Sequence, residues 1–267
     1  MENLYKSYIL PHLDYSDSLW NNCTATQANE LESIQLEALR TITGFVRGTS
    51  HEKLYKESGF ITLQERRERH QLIICFKIVQ GLLPNYLNTY LPPLVTDLNP
   101  YHRRRSLERQ VPVSRTELYR NSFFPSTTIL WNRLPDIIKN TTSLSHFKKY
   151  LRKDDSIVPP YYFIGCRKAQ AIHCKLRLNM SDLNNDLFNR HISDIKVCEC
   201  GHNKEDAYHF LINCPRFTDI RAVTIETLPP VIINIKNLLF GNEHFSLSCN
   251  SYVFLTVQEF ITKSERF

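Results

Sequence analysis

A mainly α-helical fold is predicted for this 267-residue sequence, and three observations carry the prediction. Apolar residues recur at three- and four-residue spacing in stretches that open on capping signals and close on glycine or proline. Only seven glycines occur in the chain, which argues against sandwiches, barrels and glycine-loop nucleotide folds. Near the C-terminal end, Cys198-Glu199-Cys200-Gly201 is followed by His209 and Cys214, a C-x-C-x8-H-x4-C cluster. The length suffices for two domains and a real core. The pattern divides the chain into a small helical domain over residues 1–95, a basic connector with short helices over 96–160, and a helical domain over 161–267 that carries the cluster.

Taken in order, the opening YKSYILPHLDYSDSLW is apolar and aromatic, and Pro11 should interrupt any helix through it. Thr24-x-x-Gln27 forms a capping box. Behind it Leu31, Ile34, Ala38 and Ile42 make a helical stripe that stops at Gly44. A short helix around Leu54 ends at Gly59. Thr62-x-x-Glu65 opens a helix to about Gln80, with Gly81 and Pro84 as stop signals. Its first half carries Arg66, Arg67 and Arg69. Its second half, LIICFKIV, is apolar on nearly every face and must lie between other elements.

From Asn99 to Thr116 the helical pattern fails. Pro100, Pro112 and the run Arg103-Arg104-Arg105 predict an exposed basic loop with room for one short strand. Two compact helices follow. The first carries Trp131 and ends at Pro135; the second is capped by Ser143 and sets Leu144, Phe147 and Leu151 opposite Lys148, Lys149 and Arg152. Pro159-Pro160 marks the last boundary. Helices are then expected near 168–179, 182–191 and 216–228, the last stopped by Pro229-Pro230, with apolar stretches at 231–240 and 252–262.

Three thiols and an imidazole within seventeen residues give the donor set of a closed, tetrahedral, structural zinc (Zn2+) site formed by Cys198, Cys200, His209 and Cys214. Gly201 lets the chain turn behind the second cysteine, a short helix over 206–212 carries the histidine, and Pro215 closes the segment. One residue between the first two cysteines is tighter than the usual spacing, so His202 is an alternative ligand to Cys198. The competing reading is four unrelated side chains, because free cysteines often behave as buried hydrophobes.

Charge is unevenly spread. Residues 101–153 hold twelve Lys/Arg against three Asp/Glu, whereas residues 154–267 hold twelve against thirteen, so the net +6 resides in one middle segment. Such a segment favours polyanions. Arg103, Arg104, Arg105, Arg109, Arg115 and Arg120, with Lys148 and Lys149, are the candidate nucleic-acid contacts. Their interleaving with Tyr101, Tyr119, Phe123 and Trp131 offers rings for unstacked bases. The alternative is a solvated loop with Phe123 and Trp131 in the core.

Self-sufficient catalysis is not expected. The only Asp-Asp pair, Asp154-Asp155, follows Arg152-Lys153 and lacks the apolar strand–turn–strand setting of a two-metal polymerase site. Neither a deaminase signature nor a phosphate-cradling loop nor Gly-x-Ser-x-Gly occurs, and His12, His51, His70 and His173 stand alone. No apolar run approaches a membrane span, and the first residues lack the features of a signal peptide. Three of the eight cysteines cluster in one segment, which suits a reducing compartment. The expectation is a soluble intracellular protein, nuclear or cytoplasmic and not secreted, without a membrane partner.

Several phrases stand in a familiar order: YILPHLDYSDSLWNN, LESIQLEALRTITG, RRRSLERQVPVSRTELYRNSFFPSTTILWNRLP and CECGHNKEDAYHFLINCPRFTDIR. Nearly the whole chain resembles the C-terminal third of endonuclease–reverse transcriptase proteins of non-LTR (LINE-type, jockey-like) retrotransposons. The resemblance implies a helical thumb-like region, a basic connector and a C-terminal zinc knuckle whose ligands fall on Cys198, Cys200, His209 and Cys214. It also implies RNA or an RNA–DNA duplex as partner, together with the catalytic part of the same retrotransposon protein. The Tyr-x-Asp-Asp-type palm and the endonuclease have no counterpart in these residues. Met1 is therefore expected to lie inside a once longer reading frame, and QEFITKSERF resembles the family's natural terminus. The function expected is nucleic-acid binding by a non-catalytic portion of an RNA-directed DNA polymerase. The alternative is a zinc-stabilised protein-interaction module or an inactive transposon remnant.

Overall fold

The computed structural model describes residues 2–45, 47–98, 107–152 and 158–267. Arg103, Arg104 and Arg105, and the Asp154-Asp155 pair, lie outside the described residues. The fold is mainly helical. Among the described residues no strand forms, and the short strand expected near 99–116 is reduced to an isolated antiparallel bridge between Leu94 and Arg109. No helix of the described residues is long and apolar enough to cross a membrane. The chain divides into two compact units, Met1–Gln35 with Phe60–Ser156, and Leu36–Gly59 with Ile157–Phe267.

The first unit is built on the helix Leu63–Val79. Thr62 caps it, its hydroxyl accepting from Glu65 N at 3.1 Å. The apolar second half is buried or half-buried throughout, because the helices Phe123–Asn132 and Leu144–Leu151 pack on it. Leu72, Cys75, Phe76, Trp131, Ile138 and Phe147 form the core, with the Phe76 and Phe147 rings stacked at 4.4 Å. Trp131 is therefore a core residue and not a base platform. Pro135 ends the Trp131 helix and at once precedes a further one, Asp136–Lys139; with the short Glu117–Arg120, residues 117–151 hold four helices where two were expected. Ser143 caps the last, its hydroxyl accepting from His146 N at 3.3 Å.

Pro11 does not interrupt the opening helix. A π turn over Tyr5–Ile9 leads directly into Leu10–Asp14, and the proline sits in the first turn of that helix, where an absent N–H leaves nothing unpaired. The Thr24/Gln27 capping box forms reciprocally, with Gln27 N donating to the threonine hydroxyl (3.3 Å) and Thr24 N to Gln27 Oε1 (3.1 Å). In the helix Ala25–Thr43, however, Ile34 is 47% exposed and Gln35 is fully buried in its place. Gln35 can hold a core position because its amide is satisfied: Tyr5 Oη donates to Oε1 (2.8 Å), and Nε2 donates to Ile61 O (2.9 Å).

In the second unit the helix Leu247–Lys263 buries Val253, Phe254, Val257, Phe260 and Ile261. It packs against the helices Arg167–Arg177 and Ile235–Phe240. The single helix expected over 216–228 is instead three short turns, Pro215–Phe217, Thr218–Ala222 and Ile225–Thr227. The break falls in Val223-Thr224-Ile225, a β-branched run of low helix propensity. Thr224 leaves helical geometry there (φ −131°, ψ −92°) and turns its hydroxyl back to Ile220 O at 2.6 Å.

Candidate metal centre and basic surface

The Cys/His cluster folds locally from two short pieces. The first is a turn in which Cys198 N donates to His202 O and Gly201 N to Cys198 O, both at 2.9 Å. Gly201 has φ +89° with open space where a Cβ would stand, so its conformation, not crowding, calls for glycine. Cys198 and Cys200, one residue apart, thereby face the same way. The second piece begins where Asp206 Oδ1 accepts from His209 N (2.8 Å) and continues as a π turn over His209–Asn213, closed by Cys214 N donating to His209 O at 2.7 Å. The wider turn brings the fifth residue back toward the first, and so converts the H-x4-C spacing into a shared face.

The result is one group. A ligand atom from each of Cys198, Cys200, His209 and Cys214 lies within 4.8 Å of the other three. Cys198 Sγ and Cys214 Sγ are 3.8 Å apart, and Cys200 Sγ is 3.2 Å from His209 Nε2. All eight cysteines of the chain are free thiols. His202, the alternative ligand, lies outside the group; its ring stacks on His209 at 4.2 Å and its Nδ1 contacts the Lys204 backbone. The group that the fold brings together thus includes Cys198 and leaves out His202.

The surroundings hold the donors still. Cys198 and Cys214 belong to the core of this unit, beside Phe210, Leu211 and Phe217. Arg221, 6% exposed, donates to Leu211 O (3.0 Å) and Cys214 O (2.8 Å), tying down the end of the π turn. Glu205, 1% exposed, accepts from Arg266 Nε (2.8 Å) and Nη2 (2.6 Å) and from Asn184 N (2.9 Å). Burial pushes the Cys198 thiol up to about 12 and raises that of Cys214. The His202 N–H lowers Cys200, and burial lowers His209, keeping its imidazole neutral. A neutral imidazole is the form that binds a metal, and buried thiols give up their protons when a cation takes their place.

The basic residues are less gathered. Arg109 turns inward: it donates to Pro92 O at 2.7 Å, and its pKa is lowered by burial. Arg115 and Arg120 are exposed around the short helix Glu117–Arg120 and make no ion pair among the described residues. Lys149 is exposed and Lys148 half-buried on the helix Leu144–Leu151, as the amphipathic pattern implied. Tyr119 is 48% exposed, while Phe123 is half-buried with its ring edge against Phe124.

A second group escaped sequence reasoning. Asp14, Asp17 and His70 bring ligand atoms within 4.8 Å of one another. His70 Nδ1 lies 2.5 Å from Asp17 Oδ2, and Asp14 holds Arg66 through two bonds of 2.6 and 2.7 Å. With a guanidinium already on one carboxylate, the group is best described as a charge network that ties the opening segment to the Leu63–Val79 helix. No local signal announces it, since His70 stands more than fifty residues from both aspartates.

No protein-family model, curated protein or solved structure matches the chain.

Proposed function

We propose that this chain is a nucleic-acid-binding, non-catalytic C-terminal portion of a retrotransposon-type reverse transcriptase, with a structural zinc ion held by Cys198, Cys200, His209 and Cys214. The convergence of those four donors is the observation that carries most weight. A tetrahedron with Zn–S bonds of about 2.3 Å has S–S edges of roughly 3.8 Å, and the Cys198–Cys214 separation is 3.8 Å. Four protein donors leave no open position, so the ion would serve folding and not catalysis. When bound it would neutralise the thiolates and fix the π turn. Arg221 and Glu205 keep the surrounding backbone in place.

Nucleic-acid binding rests on the charge of residues 101–153, the unpaired Arg115 and Arg120, and the resemblance described above. The partner would be RNA or an RNA–DNA duplex, read through phosphates and not through base edges. A second reading, a zinc-stabilised protein-interaction module, draws on the balanced charge of residues 154–267. Fluorescence anisotropy with labelled RNA across a salt series separates them. If about six cations meet phosphates, log affinity falls with log salt at a slope of about −5. Replacing Arg103, Arg104 and Arg105 by Ala should flatten the slope by about two units or more with folding unchanged. A flat salt response of the unmodified protein rejects the nucleic-acid reading. Metal content by mass spectrometry should give one zinc per chain.

A further inference from the structure

The first unit contains a cleft of about 1070 Å3. Its floor is Arg67 and Gln71, four residues apart on the Leu63–Val79 helix and so on one face. Arg115, Arg120 and Arg133 lie around it. Four guanidinium groups thus face two carboxylates, Glu68 and Glu117. None of Arg67, Arg115, Arg120 and Arg133 is paired with a carboxylate among the described residues.

The floor is the unusual part. Gln71 is 0% exposed, yet neither its Oε1 nor its Nε2 has a hydrogen-bond partner. Arg67 is 5% exposed; its Nε donates to Asn21 Oδ1 (3.0 Å), its guanidinium lies 5.4 Å over the Trp20 ring, and its Nη1 is unpartnered. Cations at helix ends complement the helix dipole, which accounts for Arg120 and Arg133 as surface residues. It does not account for a buried guanidinium with one nitrogen unpartnered beside a buried amide with neither atom partnered. A buried polar group without a partner calls for an explanation, and an anion or ligand that completes it is one.

We propose that this cleft is a phosphate-binding site, with Arg67 and Gln71 as its floor and Arg115, Arg120 and Arg133 as its rim. Guanidinium forks match phosphate oxygens bidentately, and several of them around one concavity select for phosphate over a lone carboxylate. The phosphate can belong to a nucleic-acid strand or to a small free anion. The site shares Arg115 and Arg120 with the surface proposed above, and rests on that reading only for the source of the phosphate.

The test uses the full chain and two probes, inorganic pyrophosphate by titration calorimetry and a labelled single-stranded 12-nucleotide RNA by anisotropy. Two variants are compared, Gln71→Met and the exposed-rim double substitution Arg115→Glu with Arg133→Glu. Gln71→Met removes an unsatisfied buried amide at similar volume. It should leave the melting temperature equal or higher while weakening probe binding about tenfold, an outcome a merely structural glutamine would not give. The rim variant should weaken binding of both probes about a hundredfold. Pyrophosphate binding that follows the variants without RNA binding keeps the cleft and rejects the nucleic-acid reading. Binding of both probes indifferent to both variants overturns the cleft and leaves that reading intact. If neither probe binds, the cleft is overturned. If Gln71→Met lowers the melting temperature, the rim variant decides alone.

Discussion

The two units differ in how many of their arginines meet a partner. In the second, the buried Arg177 donates to Glu57, Arg266 is bidentate on Glu205, and Arg221 is fixed on two backbone carbonyls. Those guanidinium groups have partners within their own unit, and the sequence there is close to neutral. In the first unit Arg66 is bidentate on Asp14 and the buried Lys139 meets Asp136, but Arg67 has only a neutral asparagine, and Arg115, Arg120 and Arg133 face outward unpaired. Polar groups satisfied from within serve to fix a fold, whereas cations left without counter-charges point to something beyond the chain. On the function proposed above, the unpaired cations of the first unit are the ones free to meet a polyanion.

The largest effect expected is that of removing the zinc ion proposed at Cys198, Cys200, His209 and Cys214. Structural zinc in small modules contributes on the order of 10 kcal/mol to folding. A strong chelator, or Cys214→Ser, should therefore unfold the region around 195–225 while the helices of the first unit persist. Circular dichroism with hydrogen exchange would show which amides lose protection. Simultaneous loss of protection in the Leu63–Val79 helix would contradict independent units.

Next in size is the Glu205–Arg266 pair, whose side chains are 2% and 19% exposed. Arg266→Ala leaves a buried carboxylate with one backbone N–H and should cost about 3 kcal/mol by urea denaturation. Adding Glu205→Gln to that variant should recover part of the loss, since an amide needs no counter-charge. No recovery would mean that the arginine acts through packing alone.

The smallest effect is a pH dependence. His173 is 1% exposed; its Nε2 donates to Leu238 O at 2.9 Å, and its Nδ1 has no partner. Burial, reinforced by Arg177, holds its pKa well below the usual value of 6.5. The unfolded chain then takes up a proton that the folded one refuses, so this histidine's contribution is present above about pH 6.5 and is lost as pH falls toward its folded pKa. The slope should approach roughly 1.4 kcal/mol per pH unit below pH 6. His173→Gln, which keeps a donor for Leu238 O, should show a shallower loss between pH 7 and 5. Identical slopes would remove His173 from the account.

What could be read beforehand follows the range of the interactions. The capping residues Thr24, Thr62 and Ser143 were legible because a cap is settled within three or four residues, and the metal group because its donors lie in one seventeen-residue stretch. The burial of Gln35 in place of Ile34 was not legible, since it depends on Tyr5 and Ile61 arriving from elsewhere. The same holds for His70, whose partner Asp17 is 53 residues away. Arg67 and Gln71 read as ordinary members of a polar helical half; only Arg115, Arg120 and Arg133, brought around them by the fold, give them a cleft to line. Pro11 misled because a proline breaks a helix only in its interior, and the π turn ahead of it was invisible in the residue pattern.

The π turn between His209 and Cys214 has an evolutionary corollary. Deleting one residue there would convert it to an ordinary α turn, in which positions four apart again share a face, so the metal could still be reached. Inserting one would swing the last thiol aside with no regular turn able to restore it. Relatives of this segment should accordingly show three or four intervening residues and never five, a stricter and more useful search pattern than the identity of the residues between.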